Sequence, residues 1–399
     1  MSSTTTAPPR PSARRRVIFT TVLLAVTALL FWVPWAVLLA PGARWPWPVQ
    51  AVGTAFFVVT SVAFPLLLVR AHGRARSDRA SRVAHLVLGV AWVFFSWAVI
   101  TGVLKLVLAV AGVESLFRAR FAAVALLVVG LALVGHGLRE ARRVPRVKRT
   151  DVVLPRLDPA FDGLTVAVLA DTHYGAIDRT RWSEGTVAAV NALGADVVVH
   201  VGDIADGTVD HRRGQAAALG DVAARHRFYV SGNHEYISNA QAWLDHMAGL
   251  GWTSLHNQHR VLERDGARLV FAGVDDVTGA YSGEDGHGAD LDAALAGVPD
   301  EDPVVLLAHQ PSEIGKAGAA GVDLLLSGHT HGGQIWPFHL LVRLQQPVLA
   351  GLSRHGERTL LYTSRGAGFW GPPLRVFAPS EISLLKLRAR PPHVSRGAA

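Results

Sequence analysis

The sequence contains no cysteine among its 399 residues. Disulfide bonds, thiolate zinc sites and cysteine nucleophiles are therefore excluded. Any metal ion that the chain binds must be held by nitrogen and oxygen donors, which suit manganese, iron and zinc.

Acidic residues are scarce in the first part of the chain. Residues 1–150 hold 3 aspartate and glutamate residues against 19 lysine and arginine residues, a net charge of +16. The remainder, with 28 acidic and 20 basic residues, carries −8. Because the basic residues of the first part flank apolar segments, and no stacking or groove-reading motif accompanies them, the sequence argues against a nucleic-acid partner.

Four long apolar runs occur before residue 139. Each has the length of a membrane-spanning helix, and the charged residues lie almost wholly in the gaps. Buried helices of a soluble protein are the alternative, which this charge distribution disfavours. The predicted spans are 17–40, 49–69, 83–111 and 121–138.

The gaps between these runs predict an orientation. The N-terminal tail carries four arginines, segment 70–82 carries five and segment 139–150 carries six basic residues, whereas segments 41–48 and 112–120 carry one and two. Basic residues accumulate on the cytoplasmic side of membrane proteins. The sequence thus predicts a multi-pass protein of the cell membrane whose N-terminus and C-terminal part are cytoplasmic.

After residue 150, short apolar strands first alternate with alanine-rich helices and then follow one another directly. This order predicts two packed sheets with helices outside. Strands are predicted over 164–170, 196–201, 227–230, 260–263, 268–274, 303–308, 322–326, 359–363, 374–377 and 382–387, and helices over 181–193, 212–224, 240–250 and 312–319. The predicted organisation is a disordered basic tail (1–16), four transmembrane helices (17–138), a basic linker (139–160), an α/β domain (161–390) and a disordered tail (391–399).

Side chains of metal-ligand type follow five of the predicted strands. Singly, each has an ordinary explanation: Asp203 could cap a helix and Asn233 could occupy a turn. Five such motifs in order, each directly after an apolar strand, indicate two metal sites at one sheet edge, where open α/β folds bind ligands. The candidate ligands are Asp171, His173, Asp203, Asn233, His309, His329 and His331. His200 lies inside a strand and is expected to be a core or supporting histidine.

These motifs resemble those of the calcineurin-like metallophosphoesterases. The matching stretches are Asp171-x-His173, Gly202-Asp203, Gly232-Asn233-His234-Glu235, His309 and Gly328-His329-x-His331. The extended stretch 328–334, together with 363–366, is similar to a branch that includes bacterial membrane-associated phosphodiesterases and UDP-diacylglucosamine hydrolases of the lipid A pathway. Ala170 and Tyr174 depart from the family pattern, and neither is a candidate ligand.

The resemblance implies an α/β fold, a four-layer αββα sandwich, for the domain at 161–390. The all-α four-helix transmembrane region precedes this domain and is not covered by the resemblance. The resemblance also implies two divalent metal ions (manganese, iron or zinc) that hydrolyse a phosphate ester through a bridging hydroxide. One ion would be held by Asp171, His173, Asp203 and His331, and the other by Asp203, Asn233, His309 and His329. His234 would be the catalytic residue that contacts the phosphate and protonates the leaving oxygen. The alternative for His234 is a supporting role, oriented by Glu235 or Asp206.

The charge of such a centre bears on its substrate. Two divalent cations, two aspartates and one hydroxide leave a single positive charge. A diester monoanion neutralises that charge and a monoester dianion exceeds it, which favours a phosphodiester or pyrophosphate bond.

The segment 335–352 carries an unusual number of large apolar residues for a loop. They are Trp336, Phe338, Leu340, Leu341, Val342, Leu344, Val348 and Leu349. One interpretation is core packing. The other is an apolar lip beside the metals that faces the bilayer and admits a lipid-linked substrate.

Three other functions stay open on the sequence alone. They are a phosphatase for a soluble nucleotide or phosphoprotein with the membrane part as anchor only, a transporter-like protein with a regulatory metal domain, and an inactive binding domain. Lys105 is the only lysine, arginine, aspartate or glutamate within the predicted spans, with His136 as a further polar candidate, which argues against a transport path. The complete ligand set and His234 argue against an inactive domain.

Overall fold

The computed structural model describes residues 13–39, 41–72 and 77–390. The chain divides into two compact units, Met1–Val134 and Gly135–Ala399. The predicted disordered tail at 391–399 and most of that at 1–16 lie outside the described residues. Residues 13–16, expected to belong to the tail, instead start the first helix.

Four long helices make up most of the first unit. They are α1 (Ala13–Leu38), α2 (Trp47–His72), α3 (Asp78–Val110) and α4 (Ser115–Arg142). All four are long and apolar enough to cross a membrane. Large apolar side chains such as Phe56 and Leu106 remain exposed along them. Helix α3 begins ahead of its predicted span because the Ser77 hydroxyl caps it by accepting a hydrogen bond from Ala80 N.

Two six-stranded sheets form the centre of the second unit. The strands are β1 (Arg146–Leu154), β2 (Thr165–Leu169), β3 (Val197–Val201), β4 (His226–Val230), β5 (Thr253–Ser254), β6 (Gln258–Arg264), β7 (Ala267–Gly273), β8 (Val304–Leu307), β9 (Leu324–Ser327), β10 (Gly351–His355), β11 (Thr359–Thr363) and β12 (Glu381–Ala389). The first sheet has the order β1-β12-β2-β3-β4-β5, and the second has the order β10-β11-β9-β8-β7-β6.

The helices of this unit are short. They are α5 (Thr180–Asn191), α6 (Val209–Ala216), α7 (Asn233–Ser238), α8 (Ala240–Gly249), α9 (Leu291–Leu295), α10 (Ile314–Ala319) and α11 (His339–Val342). The helix expected at 212–224 ends early, and a 3-10 turn follows it over Ala217–Asp221.

Side-chain alternation along the strands produces the layers. In β8, Val305 and Leu307 join a core shared by both sheets, whereas Leu306 packs against Ile314 of α10. On the other side, Trp243 and Met247 of α8 cover the first sheet. Since residues along a strand point alternately to its two faces, strands covered on both sides are apolar throughout. The predicted four-layer αββα sandwich is confirmed.

The parallel strands of both sheets end at the candidate site. Strands β2, β3 and β4 run parallel in the first sheet. Strands β7, β8, β9 and β11 run parallel in the second sheet. The ligand-type residues come directly after β2, β3, β4, β8 and β9.

Two sequence predictions require correction. The expected linker at 139–160 contains β1, which pairs in parallel with β12 along its whole length. Basic residues obscured this strand because it is an edge strand whose outer side chains are exposed. Residues 374–377 form no strand and contribute one bridge, between Ile335 and Val376.

Candidate metal centre

The candidate ligands sit on tightly turning backbone at the strand ends. Five of them adopt left-handed φ angles between 44° and 68°, which non-glycine residues rarely do. They are Asp171, His173, Asp203, His329 and His331. Such conformations cost free energy and persist where the surrounding structure holds them, often at functional sites.

Glycines leave the space that two of the aspartates need. A Cβ atom at Gly328 would lie 2.6 Å from Oδ2 of Asp171. A Cβ atom at Gly232 would collide with the carboxylate and backbone of Asp203. The glycines of both motifs therefore permit close approach of one strand-end loop to the next.

Asp171, His173 and His331 form the first donor cluster. The Nε2 atoms of the two histidines are 3.0 Å apart, and Nε2 of His331 lies 3.6 Å from Oδ1 of Asp171. All three side chains are buried. The Asp171 carboxylate also accepts a hydrogen bond from the backbone N of His329, 3.0 Å away, which fixes its orientation.

The second donor cluster consists of Asn233, His309 and His329. Nδ1 of His329 lies 3.0 Å from Oδ1 of Asn233 and 3.3 Å from Nε2 of His309. His309 is fully buried, and its Nδ1 donates to the carbonyl of Val201 at 2.7 Å. When the ring is neutral, its Nε2 therefore carries a lone pair that faces the cluster.

Asp203 joins the two clusters. Its Oδ2 lies 3.1 Å from Nε2 of His309 and 3.5 Å from Nε2 of His173. Its Oδ1 instead accepts a hydrogen bond from the backbone N of His234. One oxygen of Asp203 thus faces both groups of donors.

The hydrogen bonds at the rear of the rings show that this arrangement fits cations. Nδ1 of His173 donates to Asp206 and Nδ1 of His309 donates to Val201, so the Nε2 lone pairs of both rings point at the carboxylate of Asp203. Lone pairs facing a buried carboxylate need a positive charge between them, which either a proton on the imidazole or a bound cation can supply. The nitrogen and oxygen donors match manganese, iron or zinc, and their rear hydrogen bonds are those that orient metal-binding histidines.

His234 lies beside the first cluster and is held by Asp206. A single oxygen, Oδ1 of Asp206, is 2.8 Å from Nδ1 of His234 and 2.8 Å from Nδ1 of His173. Burial lowers the pKa of His234, but the carboxylates of Asp203 and Asp206 outweigh it and raise the pKa to about 9. Burial likewise opposes ionisation of Asp206, yet the two imidazoles hold its pKa below the usual value.

Glu235 organises the backbone around Asp203. Its Oε2 accepts from the N atoms of Asp203 and Gly232 at 2.9 and 2.7 Å, and its Oε1 accepts from the N atom of Ile204 at 2.8 Å. Burial and the charge of Asp203 raise the pKa of Glu235 to about 7. Glu235 therefore supports the loop, whereas Asp206 is the residue that orients His234.

Sequence reasoning gave no role to Arg375, which is fully buried. Its guanidinium donates to the carbonyls of Gly368, Arg365 and Ala378 at 2.7–2.9 Å, and to that of His331 at 3.3 Å. Arg375 lies within the apolar segment 374–377, which carries none of the residue types that bind metals. His200 is a buried core histidine whose Nε2 lies 3.2 Å from the Thr172 hydroxyl, and burial lowers its pKa to about 3.

Exposed apolar side chains lie next to the centre. The Gln334 side chain forms two hydrogen bonds of 2.8 Å with Trp370: its Nε2 donates to the backbone carbonyl, and its Oε1 accepts from the backbone N. The centroid of the Trp370 ring lies 6.2 Å from that of His234. Helix α11 starts where His339 packs against Gly333. We call the following exposed residues the apolar rim: Leu340, Leu341, Leu344, Trp370 and Phe377.

The apolar side chains of segment 335–352 differ in exposure, and Val348 packs against a core cluster. Leu340, Leu341 and Leu344 are 57%, 48% and 81% exposed, whereas Ile335 is buried. Core packing therefore does not explain the apolar residues of α11.

Comparisons with known proteins agree with this geometry. Residues 164–333 match the family model described as calcineurin-like phosphoesterase. The chain is 34% identical over 269 residues to a transmembrane protein with metallophosphoesterase domain of Danio rerio, covering 66% of this chain and 62% of that protein's length.

Two further similarities extend the comparison. An uncharacterized metallophosphoesterase of Campylobacter jejuni is 32% identical over 342 residues, which cover 84% of this chain and 88% of that protein. The crystal structure of a dimetal phosphatase from Danio rerio aligns with 57% of this chain and 93% of its own, with a TM-score of 0.39 and 14% identity. From the matched domain and the relative covered almost end to end, the chain belongs to the calcineurin-like phosphoesterase family.

Proposed function

We propose that the protein is a multi-pass membrane phosphoesterase that hydrolyses a phosphodiester or pyrophosphate bond at a two-metal centre. The observation that carries this proposal is the position of Asp203, whose Oδ2 faces the histidines of both donor clusters. Asp171, His173, Asp203 and His331 would hold one divalent ion, and Asp203, Asn233, His309 and His329 the other. Two such ions stabilise the attacking and leaving oxygens of an in-line displacement.

Side chains of this chain would transfer the proton to the leaving oxygen and hold the candidate ligands in position. Asp206 accepts the Nδ1 proton of His234, so Nε2 of His234 is the atom that carries a proton to the leaving oxygen. Buried Asp171 and Asp203 hold their positions through backbone N–H donors. Gly232 and Gly328 keep the loops close and leave no space for bulk water between them and the carboxylates.

A diester fits the charge of the centre. The Asp276 carboxylate accepts hydrogen bonds from Nε2 of Gln310 at 3.0 Å and from the Thr278 hydroxyl at 2.7 Å. The Asp275 carboxylate lies 2.7 Å from Nδ1 of His256. Gln310 and Thr278 are neutral donors, so Asp276 keeps its charge, which acts electrostatically on His309. Counted over the assigned ligands alone, two divalent cations, Asp171, Asp203 and one hydroxide would leave a single positive charge, from which we infer a preference for a monoanionic phosphate.

An activity assay tests the reaction. Purified full-length protein in detergent with manganese should turn over bis(p-nitrophenyl) phosphate faster than p-nitrophenyl phosphate. Asp203→Asn should abolish both activities. Preference for the monoester would contradict the charge argument, and equal activity in Asp203→Asn would contradict the site.

The apolar rim supports a lipid-linked substrate. Exposed leucines beside a charged centre can bind acyl chains while the phosphate reaches the metals, and each fully buried large apolar side chain contributes about 1.5–3 kcal/mol. A soluble nucleotide or phosphoprotein gives no reason for Leu340, Leu341 and Leu344 to be exposed together.

Paired substrates test the role of the rim. Leu340→Ser with Leu341→Ser should reduce turnover of a phosphodiester presented in lipid vesicles and leave a soluble chromogenic diester unaffected. Val153→Ser, at a 45% exposed position on the edge strand β1, is the matched control. Equal loss on both substrates would indicate damage to the fold, and no loss on either would remove the lipid proposal.

A further inference from the structure

A second group of metal-ligand side chains lies apart from the candidate centre. His256 follows β5, Asp275 follows β7, and His287 belongs to the segment between β7 and α9. One donor atom from each of the three lies within 4.8 Å of the other two. The family motifs include none of these residues, and the sequence alone gave none of them a role.

The distances between the donors suit one ion. Nδ1 of His256 is 2.7 Å from Oδ1 of Asp275, and Nδ1 of His287 is 3.7 Å from Oδ2 of Asp275. In a tetrahedral zinc site with bonds of about 2.0–2.2 Å, neighbouring donors are about 3.3–3.6 Å apart. The His256–Asp275 distance is that of a hydrogen bond, and the His287–Asp275 distance to the other carboxylate oxygen lies just above the range. An ion would take the place of the proton in that hydrogen bond, and modest side-chain movements would bring all three donors around it.

The other side of the His287 ring is arranged as metal-binding histidines require. Its Nε2 lies 3.2 Å from Oε1 of Gln241 and 3.6 Å from a carboxylate oxygen of Glu284, both acceptors for an Nε2 proton. With that proton in place, Nδ1 is the nitrogen left to bind an ion. Its present neighbour, 3.1 Å away, is the hydroxyl of Tyr236. Such outer partners fix the tautomer of a ligating imidazole.

Burial and charge also favour a cation. The side chains of Asp275 and His287 are 1% and 4% exposed. The Asp275 carboxylate accepts from the backbone N of Gly288 at 3.1 Å, and its own N donates to the Asn257 side chain at 3.2 Å. An open cavity of about 820 Å³, lined by Asn257, His287 and Lys316 among others, gives access to the cluster.

From this geometry we propose a third metal site, in which His256, Asp275 and His287 bind one zinc-type divalent ion with an open fourth position. The ion would connect segment 274–290, which carries Asp275 and His287, to His256 in the loop after β5. The hydroxyl of Tyr236, now 3.1 Å from Nδ1 of His287, would give up that contact to the ion. This inference stands independently of the reaction proposed above.

Metal stoichiometry tests the proposal without an activity assay. In the full-length Asp171→Asn/Asp203→Asn variant that also carries His309→Ala and His331→Ala, each half of the two-metal centre keeps at most two of its four assigned ligands. After incubation with zinc and dialysis, elemental analysis should find one zinc per chain. Adding His256→Ala and His287→Ala should reduce this to none, whereas the control pair His211→Ala and His226→Ala should leave it at one.

Two results would overturn the third site. One is no zinc in the variant that keeps the cluster intact, which would make the cluster a hydrogen-bonded network only. The other is zinc retained after both cluster histidines are removed. If the variant with these four substitutions fails to fold, the comparison is made in the otherwise unchanged protein, where His287→Gln should lower the metal content from three to two, and an unchanged content would refute the site.

Discussion

Asp203 faces donors of both clusters through one oxygen, so both proposed metal positions would depend on it. Replacing it with asparagine removes one negative charge and substitutes a weaker ligand. We expect Asp203→Asn to lower the metal content below two per chain and to abolish turnover, as measured by elemental analysis and diester hydrolysis. Asp151→Asn, at an exposed position on β1, serves as control. Two retained metals with full activity in Asp203→Asn would refute the assignment.

His234 should separate proton transfer from metal binding. We expect His234→Ala to retain both metals and to lower kcat by about 10²–10⁴-fold, the usual contribution of a general acid. The loss should shrink for substrates with a good leaving group, because those need less protonation. Metal loss in His234→Ala would show that it is a ligand or a structural support.

Asp206 differs from His234 because its Oδ1 also holds His173. Asp206→Asn should therefore weaken metal binding and lower kcat together, with metal affinity reduced about 10–100-fold as for other supporting groups. Metal titration and steady-state kinetics on the same preparation check both effects. An unchanged metal affinity would mean that His173 keeps its position without Asp206.

The ligand types and their places after apolar strands could be predicted from the sequence, since each depends on a local pattern. The partners of those ligands could not. Asp206 lies 33 residues from His173, and Arg375 lies 44 residues from His331. Contacts at such separations depend on how the sheets pack, which no local periodicity encodes.

Among the secondary-structure elements, most of the predicted strands are confirmed, and the strands that were missed lie at sheet edges. Strands β1, β5 and β10 were missed because edge strands are short or carry polar outer side chains. Segment 374–377 was wrongly predicted as a strand because Leu374 and Val376 are buried without strand pairing. An apolar pattern reports burial, and burial does not require a hydrogen-bonded ladder.

One buried carboxylate connects elements that are distant in the chain. Asp323 is fully buried at the start of β9, accepts from Arg156 at 3.0 Å and Arg358 at 3.2 Å, and accepts from the backbone N of Val304 at 2.9 Å. Since hydrogen bonds to charged groups contribute about 1.5–3 kcal/mol, Asp323→Ala should lower the free energy of unfolding by at least that amount. Denaturant unfolding of detergent-solubilised protein checks this, with Asp151→Ala expected to change stability far less. Equal effects would show that Asp323 adds nothing beyond a surface ion pair.

At the scale of the whole molecule, the orientation in the membrane can be tested because the chain has no cysteine. The basic segments predict that residue 44 is outside the cell and residue 390 is in the cytoplasm. In intact cells, Arg44→Cys should react with an impermeant maleimide and Arg390→Cys should react only after lysis. Reaction of Arg390→Cys in sealed cells would place the phosphoesterase unit outside and change the class of substrate available to it.

Strand β12, at residues Glu381–Ala389, lies between β1 and β2 in the first sheet. The sheet that carries Asp171, Asp203 and Asn233 therefore remains split until the ribosome has made residues 381–389. His331, for its part, emerges 158 residues after His173. Because translation adds about 5–20 residues per second, the apolar helices leave the ribosome well before a complete metal centre can form. On the proposed function, the nascent chain would therefore have its apolar helices before it could have activity, and a copy cut short before β12 would lack a closed first sheet.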